Sequence, residues 1–83
     1  MKEKIRKFVE ETLRRNNITT EICDDDSLIL SNIFDSLDVV DLQLYIEGIY
    51  GIPPAALADD LSRIDTINKI VNYISENVKH YTQ

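Results

Sequence analysis

The chain holds one cysteine, Cys23, and one histidine, His80. A lone cysteine excludes an internal disulfide, and one thiol far in sequence from one imidazole lacks the ligand spacing of a zinc site. Both absences fit a reducing, cytoplasmic setting with no metal. No run of lysine and arginine interleaves with aromatic residues, which argues against nucleic acid as the partner. No segment approaches the roughly 18 apolar residues of a membrane span. Residues Met1 to Phe8 are rich in charge with no apolar run after them, so a soluble, unprocessed protein is expected. Only two glycines and two prolines are present, and three of the four crowd into Gly51-Ile52-Pro53-Pro54, one strong chain-stop signal. Alternating apolar and polar residues nowhere extend far enough for a strand, and there is no internal repeat or low-complexity tract.

What is present is 83 residues of which 43% are hydrophobic, enough for one small domain over 1–83 and too few for two cores. A chain of this size buries only about 60% of its unfolded surface, so a deep active-site cavity would thin an already small core. No acid/base pair, metal set or phosphate loop stands out, and a self-sufficient enzyme is disfavoured.

Ile5, Phe8, Val9 and Leu13 follow one helical face and predict a first helix from residue 3 to about Asn16, where Asn16-Asn17 and the β-branched run Ile18-Thr19-Thr20 end it. The connection to Phe34 exceeds the about 12–15 residues usual for a structureless loop. Its apolar residues Ile22, Leu28, Leu30, Ile33 and Phe34 are expected to pack over the ends of the helices, with a short helical turn at Ser27–Leu30 capped by Asp26 or Ser27. A second helix begins at Asp35, with Asp35 and Asp38 spaced as a capping box, and runs to about Tyr50. A short helical piece follows between Ala55 and Leu61. A last helix, capped by Asp65 or Thr66, carries Ile67, Ile70, Val71 and Ile74, flanked by Tyr73 and Val78, and frays into His80-Tyr81-Thr82-Gln83. The expected class is all-α: a four-helix bundle of three longer helices and one short one, with a long first loop and a monomeric state.

The net charge of −6 is unevenly spread. Residues 1–17 hold six basic and three acidic residues, a solvated basic face that offsets the acid elsewhere, while 18–34 hold only Glu21, Asp24, Asp25 and Asp26. Residues 35–65 hold seven acids against Arg63. Asp24-Asp25-Asp26 lacks the glycine and distal glutamate of an EF-hand loop, which leaves at most adventitious cation binding. Cys23 reads as a packed small apolar residue. At about 100° per residue, Val39, Leu42, Ile46, Ile49 and Tyr50 form the core face of the second helix. Leu37, Asp41, Leu44, Tyr45 and Gly48 fall opposite, with Asp38 at the edge. An apolar strip rimmed by carboxylates fits a partner with a basic rim; a merely solvated face is the alternative.

The one constellation that carries chemistry is Asp35-Ser36-Leu37-Asp38. A phosphoester on Ser36 would lie against unpaired N–H groups at the positive end of the helix dipole. Asp-Ser before a helix is also an ordinary cap. Catalysis by Ser36 is disfavoured, since the only histidine is His80 and no nucleophile elbow is present.

In context these residues resemble the acyl carrier protein family, with its peptidyl and D-alanyl carrier relatives, over nearly the whole chain. The resemblance rests on Ile33-Phe34-Asp35-Ser36-Leu37-Asp38-Val39-Val40-Asp41-Leu42, on Ile46-Glu47 with Tyr50-Gly51-Ile52, and on Ile64-Asp65-Thr66-Ile67 followed by Val71-Asn72-Tyr73-Ile74. It implies that a phosphopantetheinyl transferase attaches the 4′-phosphopantetheine of coenzyme A to Ser36, flanked by Asp35 and Leu37. The arm would carry acyl or aminoacyl groups as thioesters, as carriers of fatty acid biosynthesis and related lipid metabolism do. It also implies that Leu37, Asp38, Asp41, Leu44, Tyr45 and Glu47 meet the partners: the transferase, a loading enzyme, and synthases or transferases with basic docking patches.

The chain departs from the usual fatty-acid carriers at Asn32-Ile33-Phe34, where Asn32 is expected to take a left-handed backbone role, and at Tyr45, Gly48 and Pro53-Pro54-Ala55. Those departures point to a specialised rather than a housekeeping carrier. The alternative from another class is a non-covalent acidic helical adaptor that is never loaded.

Overall fold

A computed structural model describes residues 1–81, the side chains of residues 80 and 81 excepted; the helix expected to fray from His80 continues to Tyr81, and Thr82-Gln83 lie outside the described residues. Three α-helices, α1 (Lys2–Arg15), α2 (Ser36–Tyr50) and α3 (Ile67–Tyr81), are joined by a long first loop and by two single 3-10 turns, Pro54–Leu57 and Leu61–Ile64. There is no strand among the described residues, and none of their helices is long and apolar enough to cross a membrane.

α1 ends where expected, with Asn17 in the left-handed region at φ 60°. α2 ends on Gly51, left-handed at φ 74°, whose N–H donates to Glu47 O at 2.9 Å. A side chain there would crowd the backbone, which is why glycine closes the helix. α3 starts after Thr66, whose hydroxyl accepts the Lys69 N–H at 3.0 Å, so Thr66 rather than Asp65 is the cap.

One core cluster is built from Ile5, Val9 and Leu13 of α1, Val39, Leu42 and Ile46 of α2, and Ile67, Ile70, Tyr73 and Ile74 of α3. The loops add Ile22, Leu28, Ile29, Phe34, Ile52, Leu57 and Ile64. Val71 lies at its margin. The long first loop therefore folds by its own side chains, as its apolar content predicts, with one exception: Leu30 is exposed. Residues 28–30 form a bend and a turn where a helical turn over 27–30 is expected, because Asp65 claims their N–H groups.

Three other expectations are corrected. The single short helix is two 3-10 turns, since Asp60 caps a new turn by accepting the Ser62 N–H at 3.2 Å while Ala58 and Asp59, left-handed at φ 55° and 60°, interrupt the helix between them. Ile49 is 53% exposed instead of core: it lies one turn beyond Tyr45, where α1 offers Lys4 and Lys7, which stay in water. Cys23 is exposed, at the edge of a turn closed by its N–H donating to Asp26.

Candidate functional site

Ser36 is the first residue of α2, exposed, directly after the extended N-cap Asp35. The cap is reciprocal. Asp38 N–H donates to Asp35 Oδ1 at 2.9 Å, and Asp35 N–H donates to Asp38 Oδ2 at 3.1 Å. This arrangement fixes the backbone on both sides of Ser36 and leaves the Ser36 and Leu37 N–H groups, the first of the helix, without an intrahelical acceptor.

The loop that delivers Ser36 is equally constrained. Asn32 adopts the left-handed conformation expected of it, φ 67°, and its N–H donates to Ile29 O at 3.0 Å. Phe34 is buried, and its N–H donates to Leu28 O at 2.7 Å. Asp65, 4% exposed, receives the N–H groups of Ile29 and Leu30, each at 2.8 Å, while its own carbonyl receives Leu28 N–H at 2.7 Å. Burial pushes the Asp65 carboxyl up, but the N–H bonds from Leu30, Ile29 and Leu28 and the Ser27 hydroxyl outweigh it, so the group lies below the usual carboxylate range. This tie between Asp65 and the loop before Ser36 is one that the sequence does not disclose, because a contact at this separation leaves no periodic signal.

Two residues expected on the partner face are held elsewhere. Asp38 is only 5% exposed: besides its capping bond it accepts Asn16 Nδ2 at 2.8 Å and lies 3.8 Å from the Arg15 guanidinium. Its neighbours make it a brace between α1 and the start of α2. Tyr45 is half-buried, its ring tilted against Phe8 of α1 with centroids 4.5 Å apart. The antiparallel seam of α1 and α2 thus runs from Arg15 beside Asp38 and Asp41 to Phe8 beside Tyr45.

What remains on the outer face of α2 is Leu37, 73% exposed, Leu44, 54% exposed, and the exposed carboxylates Asp41 and Glu47. Asp41 lies 3.5 Å from Arg15, an exposed pair of small energetic value. Val40, also exposed, completes the strip and adds to the residues expected there. The i, i+3, i+7 spacing of Leu37, Val40 and Leu44 is the signal that identifies it. Gly48 is exposed as well, with open space where a Cβ would stand.

Each carboxylate of the run Asp24-Asp25-Asp26 has a partner within the protein. Asp24 pairs with Lys2 and Arg6, Asp25 accepts Asn68 Nδ2 at 2.7 Å, and Asp26 accepts the Cys23 N–H at 2.8 Å. The Lys2 and Arg6 contacts hold the Asp24 carboxyl below its ordinary range. Among the described residues no group of three or more His, Cys, Asp or Glu side chains is placed to hold a metal ion. No family model, curated protein or solved structure matches this chain.

Proposed function

We propose that the chain is a carrier of acyl or aminoacyl groups, loaded as thioesters on a 4′-phosphopantetheine arm attached to Ser36. The observation that carries this reading is an exposed serine at the first position of a helix whose cap is closed by two reciprocal hydrogen bonds. The arm would enter as a phosphodiester, an anion suited to the free N–H groups and positive dipole at that position. Nothing buries Ser36 or Leu37, so the attachment oxygen is open to a transferase. When attached, the arm supplies a terminal thiol. The chain's own residues hold the attachment point still and present it beside a docking face.

That face pairs Leu37, Val40 and Leu44 with Asp41 and Glu47. Its carboxylates would steer basic patches on a phosphopantetheinyl transferase, a loading enzyme and downstream synthases, and its apolar strip would supply the desolvated contact. The segment Pro54–Ile64 is read as the counterpart of the short helix in a four-helix carrier bundle. The displacement of Asp38 and Tyr45 from the docking face, with Gly48 standing open, supports a specialised carrier.

The test is intact mass after incubation with coenzyme A and a broad-specificity phosphopantetheinyl transferase, beside Ser36→Ala. A gain of one phosphopantetheinyl group that disappears in Ser36→Ala is the expected result. The Leu37-Val40-Leu44 strip would serve a non-covalent adaptor as well, and an unmodified protein under conditions that load a known carrier would favour that second reading.

A further inference from the structure

The cations of α1 divide into two sets. Lys2, Arg6 and Arg15 are each held by acids, Asp24, Glu10, Asp38 and Asp41 among them. Lys4, Lys7 and Arg14 have no ion pair within the described residues. Arg14 lies by Glu10 and Glu21 around a separate groove. Lys4 and Lys7 instead frame an open groove of about 350 Å³ between α1 and α2, whose other lining residues are Phe8, Glu11, Tyr45 and Ile49.

This groove belongs to the basic face of α1 and differs in sign from the acidic α2 strip. In a chain of net charge −6 its rim carries two ammonium groups against one carboxylate. Its floor is apolar: the tilted ring pair of Phe8 and Tyr45, and Ile49, whose 53% exposure has no role in the core. It lies on the α1 side of α2, apart from the Leu37-Val40-Leu44 strip. A Debye length of about 8 Å at physiological salt screens the distant acids, and among the lining residues Lys4 and Lys7 exceed Glu11 by one charge. The volume is at the small end of ligand sites, which span about 300–1,000 Å³. It suits one short chain better than the broad face of a partner helix.

We propose that this groove binds a medium-chain carboxylate amphiphile, its head between Lys4 and Lys7 and its tail across Phe8, Tyr45 and Ile49. The site is independent of whether Ser36 carries an arm. The head gains from two cations that outnumber the one carboxylate on the rim, Glu11, and that make no ion pair within the described residues, and the tail covers apolar surface that is otherwise wet.

The test is titration of the ¹⁵N-labelled full chain, unmodified at Ser36, with octanoate below its micelle-forming concentration, followed by amide shifts. Octanol and octylammonium serve as neutral and cationic controls. Octanoate is expected to give saturable millimolar shifts confined to the 4–11 and 45–49 segments, with Kd raised about tenfold or more in Lys4→Glu/Lys7→Glu. Ile49→Ser should weaken octanoate and octanol alike. Both variants alter exposed residues, and circular dichroism verifies that they fold. Equal response to all three molecules, shifts centred elsewhere, or no saturable shift would overturn the proposal. An acidic peptide site that ignores octanoate is one form of that last outcome.

Discussion

The Asp65 carboxylate receives the backbone N–H groups of Ile29 and Leu30, 36 and 35 residues earlier in the chain, both at 2.8 Å. One buried side chain thereby ties the loop that leads into Ser36 to the start of α3. Its removal leaves two N–H donors without their acceptor. Asp65→Ala is expected to lower stability by about 2–4 kcal/mol at pH 7, measured by urea denaturation. Since the folded-state carboxyl is held below its unfolded value of about 3.9, this stabilisation is present above that value and is lost as pH falls through the depressed range. The wild type should therefore lose stability steeply below pH 4, and Asp65→Asn less steeply. Parallel decline of the two proteins would remove Asp65 as the source.

Asp38 and Asp41 are one turn apart and both near Arg15, yet their burial separates their roles. Asp38→Ala breaks the bond to the Asp35 N–H and the one from Asn16, and is expected to cost about 1–2 kcal/mol. It should also speed amide exchange at residues 35–38. Asp41→Ala removes only an exposed pair and should change stability by less than about 0.5 kcal/mol. On the carrier reading, Asp41→Ala slows encounter with a transferase at low salt, and the difference shrinks at high salt. Thermal melts and modification rates at two ionic strengths measure both halves.

The sequence discloses the parts of this fold that depend on neighbours in the chain. Ile5, Val9 and Leu13 are legible as a core stripe because the helical period alone places them, and the Asp35/Asp38 cap because its spacing is three. Gly51 and Asn32 are legible because few residues accept a left-handed backbone. Ile49 is misread because periodicity says which way a residue faces but not whether a neighbour reaches it; at that level α1 supplies two lysines. Asp38 and Tyr45 fall on or near the outer arc of α2 by angle, but Asn16, which closes α1, and Phe8 within it capture them. Asp65 is invisible because its partners are remote and are backbone atoms, which every residue possesses.

The outer strip of α2 separates stability from recognition. Leu37 and Leu44 contribute little to the core at 73% and 54% exposure. Truncating both to alanine should therefore leave the melting temperature within a few degrees, since surface changes are worth about 0.5 kcal/mol or less. The same double variant is expected to reduce kcat/KM for modification of Ser36 about tenfold, because shortening an apolar side chain at an interface centre costs upward of about 1 kcal/mol. A steady-state mass assay with varied protein concentration reads this out. Unchanged kcat/KM would place the transferase-binding surface elsewhere on the chain.

Two exchanges between glycine and alanine should both stabilise the protein, for opposite reasons. Gly48 lies inside α2, exposed, with no atom within 4 Å of where an alanine methyl would stand. Gly48→Ala removes unfolded-chain entropy without a clash and is expected to gain about 1 kcal/mol. Ala58 is left-handed at φ 55°, a conformation that costs an L-residue roughly 1–2 kcal/mol. Ala58→Gly relieves that strain, offset by the entropy of an added glycine of about 0.4–1 kcal/mol, for a net gain near 0.5 kcal/mol. The sites lie on different elements, so the gains should add, and the double variant should melt about 6–12 °C higher for a domain of this length. A double variant no more stable than Gly48→Ala alone would mean that the turn at Ala58 and Asp59 relaxes without strain.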